Sequence, residues 1–125
     1  DYGVPAGAIE KMSVLYQTAR STVARAARAG VAIAVGTDRH RDECVQDEIE
    51  ELMSAGLTAE QALRAATGAA GDVLGQCGKV GAIQAGARAD IILVHGDPTG
   101  SAEPLRSPVW VMQGGRIVCS EDGRH

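Results

Sequence analysis

Asp38, His40, Asp42, Glu43 and Cys44 crowd into the stretch Asp38-Arg-His-Arg-Asp-Glu-Cys44, directly after the apolar run Val31-Ala-Ile-Ala-Val35-Gly-Thr. Carboxylate and imidazole groups at such a place can ligate a divalent ion, or take a proton from water whose acidity the ion has raised. On its own the stretch is too small a ligand set, because zinc and similar ions need three or four groups fixed in space, commonly with imidazoles among them. An Asp following a strand is also a common turn residue or helix N-cap. Spacing leaves both readings of Asp38 open. His40 is likewise a ligand, a substrate contact or a solvated surface histidine, since imidazole serves all three. Arg39, His40 and Arg41 together suit an acidic or carboxylate-bearing substrate. Cys44 has no histidine placed to activate it as a nucleophile, and His95, followed by Gly96, reads as a turn residue.

What must position this loop is legible on both sides of it. Over residues 8–29, Ile9, Met12, Leu15, Ala19, Val23 and Ala26 recur at steps of three and four, which predicts a helix with one apolar face, stopped by Gly30. Residues 31–35 have no polar alternation, the mark of a strand covered on both faces. Such a strand needs neighbours, and no second strand of its kind is nearby. After the loop, residues 42–55 predict a helix burying Val45, Ile49, Leu52 and Met53, with Asp42, Glu43, Asp47 and Glu48 placed for the positive end of its dipole, and Gly56 ends it. Thr58-Ala-Glu-Gln61 is a capping box opening a further helix through Ala70. Beyond Lys79 come glycine-punctuated short apolar runs, first Val80-Gly-Ala-Ile, then Ile91-Ile-Leu-Val94, the Asp97-Pro98 turn, and Val109-Trp-Val-Met-Gln joined by Gly114-Gly115 to Arg116-Ile-Val-Cys119. Two glycines between strand-like runs are what a tight hairpin requires. Asp90 is expected to bond the backbone of the Gly86 turn.

The 125 residues carry no Phe and a net charge of −4. The core must therefore come from Ala, Val, Ile and Leu. No basic face is available for nucleic acid, and no apolar stretch approaches a membrane span. Three widely spaced cysteines disfavour a disulfide framework and suit a reducing compartment such as the cytoplasm. The chain opens on Asp1, so the natural N-terminus is expected to lie further upstream.

Taken in order, Val31-Ala-Ile-Ala-Val-Gly-Thr-Asp38, Glu48-Ile-Glu-Glu-Leu-Met-Ser-Ala-Gly-Leu-Thr58, Gln61-Ala-Leu-Arg-Ala-Ala-Thr67, Gly81-Ala-Ile-Gln-Ala-Gly-Ala-Arg-Ala-Asp90 and Asp97-Pro98, closed by Val111-Met-Gln-Gly-Gly-Arg116, resemble the C-terminal end of metal-dependent amidohydrolases. The imidazolonepropionase-like and Xaa-Pro dipeptidase-like branch is the nearest in look. The resemblance implies an α/β fold: the last βα units of a distorted TIM (β/α)8 barrel, residues 1–75, and part of a composite β-sandwich, residues 76–125. It implies hydrolysis of an amide, peptide or cyclic amide C–N bond with one or two divalent metal ions, zinc first among them. Asp38 would be metal ligand and proton shuttle by this resemblance, while Arg39 and His40 are taken as substrate contacts from their charge alone. The family's His-x-His pair, bridging lysine or glutamate and later histidines have no counterpart here and would lie upstream of Asp1. Many relatives carry a small residue where Arg39 stands. The implied partners are the remainder of the barrel, from an upstream segment or second chain, a small-molecule or dipeptide substrate, and further copies in a homo-oligomer. By itself the chain is expected not to turn over substrate. A non-catalytic α+β module for protein association is the competing reading, and a metal-free binding protein descended from the enzyme is a third.

Overall fold

A computed structural model describes residues 6–37 and 44–123. Four helices come first, α1 (Ala6–Arg28), α2 (Val45–Ser54), α3 (Ala59–Ala65) and α4 (Gly68–Val73), followed by β1 (Ile91–Val94), a 3-10 helix (Glu103–Arg106), β2 (Pro108–Gln113) and β3 (Arg116–Ser120). No helix among the described residues is long and apolar enough to cross a membrane.

Each helix follows its local chemistry. The apolar period of α1 carries it from Ala6 to Arg28. Its Tyr16 hydroxyl donates to Glu51 on α2, and the Arg20 guanidinium lies 5.5 Å from the Tyr16 ring centre. At the start of α3 the capping box forms as expected, with Gln61 N–H donating to Thr58 Oγ1 at 3.2 Å and Thr58 N–H to Gln61 Oε1 at 2.8 Å. The helix expected to run on to Ala70 instead breaks at Thr67, whose φ of −130° and ψ of −99° lie outside helical space. Two causes meet there. The Thr67 hydroxyl donates back to the Leu63 carbonyl at 2.8 Å, an arrangement that bends helices, and Gly81 passes close enough that a side chain on it would meet the Thr67 carbonyl.

The core is small and made mostly of short side chains. Ile49 of α2, Ala62 of α3, and Ala102 and Leu105 of the segment before β2 form one buried cluster, with Leu52, Met53, Leu63, Ala66 and Val94 packed against it. The helices and the β-unit therefore share a core. Val45, expected inside, is exposed.

The strands form an antiparallel sheet in the order β1-β2-β3. Gly114 and Gly115, with φ of 57° and 84°, make the hairpin the sequence calls for. Residues 80–83, strand-like by composition, form no strand: 80–82 are bends and 83 is irregular. Asp90 also departs from expectation. Its carboxylate takes the Gly114 N–H at 2.8 Å and pairs with Arg88, so it ties the hairpin to the entrance of β1 rather than closing the Gly86 turn.

These contacts predict an acid limit to stability. The Asp90 carboxyl is held below the usual carboxylate range by the Gly114 amide and then by Arg88. Asp97 is held low by the Thr99 hydroxyl and amide, and Asp47 by Arg106 and then the Cys44 amide. A carboxylate with a lowered folded pKa adds stability that is fully present above its unfolded pKa, about 3.9, and is lost as pH falls through the lowered value. Denaturation midpoints measured from pH 6 down to 2 are expected to hold to about pH 4 and then drop. Asp90→Asn and Asp47→Asn are each expected to make that drop shallower.

Candidate active-site loop

Asp38, Arg39 and His40 fall in the stretch 38–43, which lies outside the described residues. The described residues on either side of it, up to 37 and from 44 on, are fixed by contacts with the rest of the chain. On the entry side, residues 31–37 form no strand. The expected buried strand is corrected on this point for a physical reason: strand pairing needs partners on its flanks, and none stands beside the run among the described residues. Val31 is 56% exposed. The run is nonetheless placed. Val35 N–H donates to the Ala65 carbonyl at the end of α3 at 3.0 Å, and Val31 and Ile33 line a cleft of about 220 Å³ together with Leu57, Gln61, Arg64 and Asp72.

On the exit side Cys44 is the N-cap of α2. Its N–H donates to Asp47 Oδ2 at 3.2 Å, so the third helical residue folds back on the cap as in a capping box. The other oxygen, Oδ1, is 2.5 Å from Arg106 Nη2. Arg106 also reaches Glu50 at 3.1 Å and Glu103 at 3.3 Å, and donates to Cys44 Sγ at 3.3 Å. Beside it Gln46 Nε2 donates to the Leu105 carbonyl at 2.8 Å.

Sequence reading passed over Arg106. One signal was available: α2 carries Asp47, Glu48, Glu50 and Glu51 and no basic residue, so its acids had to find a cation from elsewhere in the chain.

Among the described residues no three His, Cys, Asp or Glu side chains stand together as a metal would need. The described residues thus do not by themselves fit a metal ion. His95 lies 3.6 Å from Glu121 with its side chain 80% exposed, in keeping with a turn residue. Cys44, Cys77 and Cys119 are free thiols.

The sequence pattern of the amidohydrolase family matches residues 11–118. No curated protein matches the chain. Among solved structures, a crystal structure of an amidohydrolase is 29% identical with a TM-score of 0.76, the match covering 96% of this chain and 30% of that one. A prolidase crystallised with N-methylphosphonate-L-proline is 25% identical with a TM-score of 0.79, again over 96% of this chain and 31% of the other. A crystal structure of an uncharacterized protein is 25% identical with a TM-score of 0.78, over 96% of this chain and 31% of that one. The chain therefore spans less than a third of the length of these three structures.

Proposed function

The chain belongs to the amidohydrolase family, and from that premise we propose that it supplies the closing βα segment of a distorted TIM barrel and part of a β-sandwich to a metal-dependent hydrolase of C–N bonds. The observation that carries the reading is the apolar run at 31–35. It is unpaired among the described residues and leads straight into Asp38, within a chain that superposes over 96% of its length on an amidohydrolase. A parallel barrel gives such a run its missing neighbours and sets the residue after it at the catalytic end. The exposed apolar residues Ile9, Met12 and Leu15 of α1 support the same reading, because a face of this kind is ordinarily buried.

In this proposal the protein holds one or two divalent ions, zinc foremost, with Asp38 as this chain's ligand and with the other ligands outside the chain. The ion, when bound, raises the acidity of water at neutral pH. Asp38 would take a proton from the water that adds to the carbonyl carbon and return it to the nitrogen as the C–N bond breaks, the carboxylate being basic enough to take it and acidic enough to return it. The experiment is to purify the protein with its complete barrel, measure its zinc content, and assay Ala-Pro and simple cyclic amides with and without a chelator. Bound zinc and chelator-sensitive hydrolysis are expected. Metal-free protein that hydrolyses none of them after zinc is added would overturn the proposal.

For substrate class, the prolidase neighbour was crystallised with a proline derivative, and proline carries a carboxylate. We assign Arg39 and His40 to a substrate carboxylate on that basis. Arg39→Ala is expected to raise KM for a dipeptide about tenfold with kcat little changed, the loss of one charge-assisted hydrogen bond. An unchanged KM would remove the assignment.

A further inference from the structure

We propose that residues 95–107 are a strap that seats the sheet on α2, that this strap opens and closes separately from the elements on either side of it, and that Arg106 is the key holding it shut.

Antiparallel neighbours need only a short turn between them, and β2 and β3 have one at Gly114 and Gly115. β1 and β2 are antiparallel neighbours too, yet residues 95–107 intervene. The ladder gives out at Val94, which pairs with Pro108 after a register shift, and proline has no N–H to carry it on. Freed from pairing, the chain turns at Asp97, whose carboxylate takes the Thr99 N–H at 2.8 Å, and crosses to α2. Two kinds of contact hold it there. Ala102 and Leu105 are buried with Ile49 and Ala62, so the strap completes the core of the helices. Arg106, next along, reaches Asp47 Oδ1 at 2.5 Å and Glu50 Oε2 at 3.1 Å on α2, and Glu103 Oε2 at 3.3 Å on the strap itself. Gln46 Nε2 adds a bond to the Leu105 carbonyl at 2.8 Å. Of the two kinds the apolar one is small, because Ala102 brings only a methyl group and Leu105 is the one large side chain the strap puts into the core. The polar contacts therefore decide how long the strap stays seated. An exposed ion pair contributes little singly, but several charges in a network contribute more, and the planar guanidinium fork fixes several acceptors at once where an ammonium would not. All these contacts lie within the strap and α2, so losing them opens the strap and leaves the hydrogen bonds of α3 and of the β2–β3 hairpin in place.

The test is amide hydrogen exchange read segment by segment in the complete protein, comparing wild type, Arg106→Ala, Arg106→Lys and, as a control away from the strap, Arg28→Ala at the exposed end of α1. For Arg106→Ala, exchange over 102–106 should rise about tenfold while 59–65 in α3 and 116–120 in β3 stay within about a factor of two, the pattern of a local opening. Arg106→Lys keeps the charge and loses the fork, so it should fall between, and Arg28→Ala should match wild type. Because the key is ionic, raising NaCl to about 1 M should speed exchange over 102–106 about threefold in wild type and leave Arg106→Ala unchanged. Exchange over 102–106 that does not change in Arg106→Ala, or that rises by the same factor in all three segments, would overturn the proposal. A wild-type rate indifferent to salt would do so too, as would failure of both Arg106 variants to fold, since the key to one strap is not required by the fold as a whole.

Discussion

Asp38→Asn, made in the protein with its complete barrel, is expected to lower kcat by about 10³-fold or more while the thermal midpoint stays within a degree or two of wild type. Asparagine keeps the volume and one carbonyl oxygen of aspartate and removes the charge and the basic site, so the substitution tests chemistry rather than packing. A positioned acid–base group contributes on the order of 10²- to 10⁴-fold, and loss of a charged metal ligand would add to that. The change should appear in kcat and kcat/KM together, because the proton is moved in the transition state and not in the ground-state complex. Zinc content measured beside the rates separates the two roles assigned to Asp38. Full metal with low kcat would identify it as the proton carrier, and lost metal as a ligand. Activity within threefold of wild type would show that Asp38 does neither, and Asp38 would revert to a turn residue after an apolar run.

Local chemistry made much of this fold readable from its sequence. The apolar period of α1, the reciprocal bonds of Thr58 and Gln61, and the Gly114-Gly115 hairpin each depend on residues within a few positions of one another, and each forms where the pattern places it. Features set by distant partners were not readable. The run at 31–35 reads as a buried strand because its composition is that of one, but strand pairing belongs to the neighbours and none is beside it among the described residues. Asp90 finds its amide donor 24 positions away at Gly114, and Arg106 finds Asp47 59 positions away. The same division holds at the candidate site. The order of the family's motifs points to Asp38, which lies outside the described residues, whereas the contacts of Arg106 with Asp47 and Cys44 depend on the packing of the 3-10 helix on α2.

That packing also bears on how much apolar surface the chain leaves for further structure to cover. Buried apolar residues are few among the described residues, and several are alanines. Larger side chains such as Met12 and Leu15 on α1, Ile92 on β1, and Ile117 and Val118 on β3 are exposed. Full burial of one such side chain is worth about 1.5–3 kcal/mol. Covering these faces is thus a substantial share of the stability available to a domain of this size, typically about 5–15 kcal/mol. A barrel wall over α1 and the 31–35 run, and a further sheet layer over the strands, would supply the cover, which is the arrangement put forward for the whole protein.

Gly81→Ala is expected to be the most damaging single substitution in the β-unit's approach segment, lowering stability by about 3 kcal/mol, the range reached when overpacking and a forbidden backbone conformation combine. Two independent costs arise at this residue. Its φ of +71° is one that residues with a side chain rarely adopt. A methyl group there would also collide with the Thr67 carbonyl and fall 2.8 Å from the Gly68 nitrogen, and both are backbone groups that cannot turn aside as a flexible side chain could. The collision is with the junction of α3 and α4, so the damage should spread to the end of α3, where Ala65 accepts the Val35 N–H that holds the apolar run at 31–35. Gly86→Ala is the matched control. Its φ of +85° carries the same backbone cost, but a methyl group there meets nothing within 4 Å, so about 1 kcal/mol is expected, the ordinary penalty for a left-handed residue. Urea denaturation of the two variants should therefore separate them by about 2 kcal/mol, and equal losses would show that the approach of Gly81 to Thr67 is not what breaks the helix there.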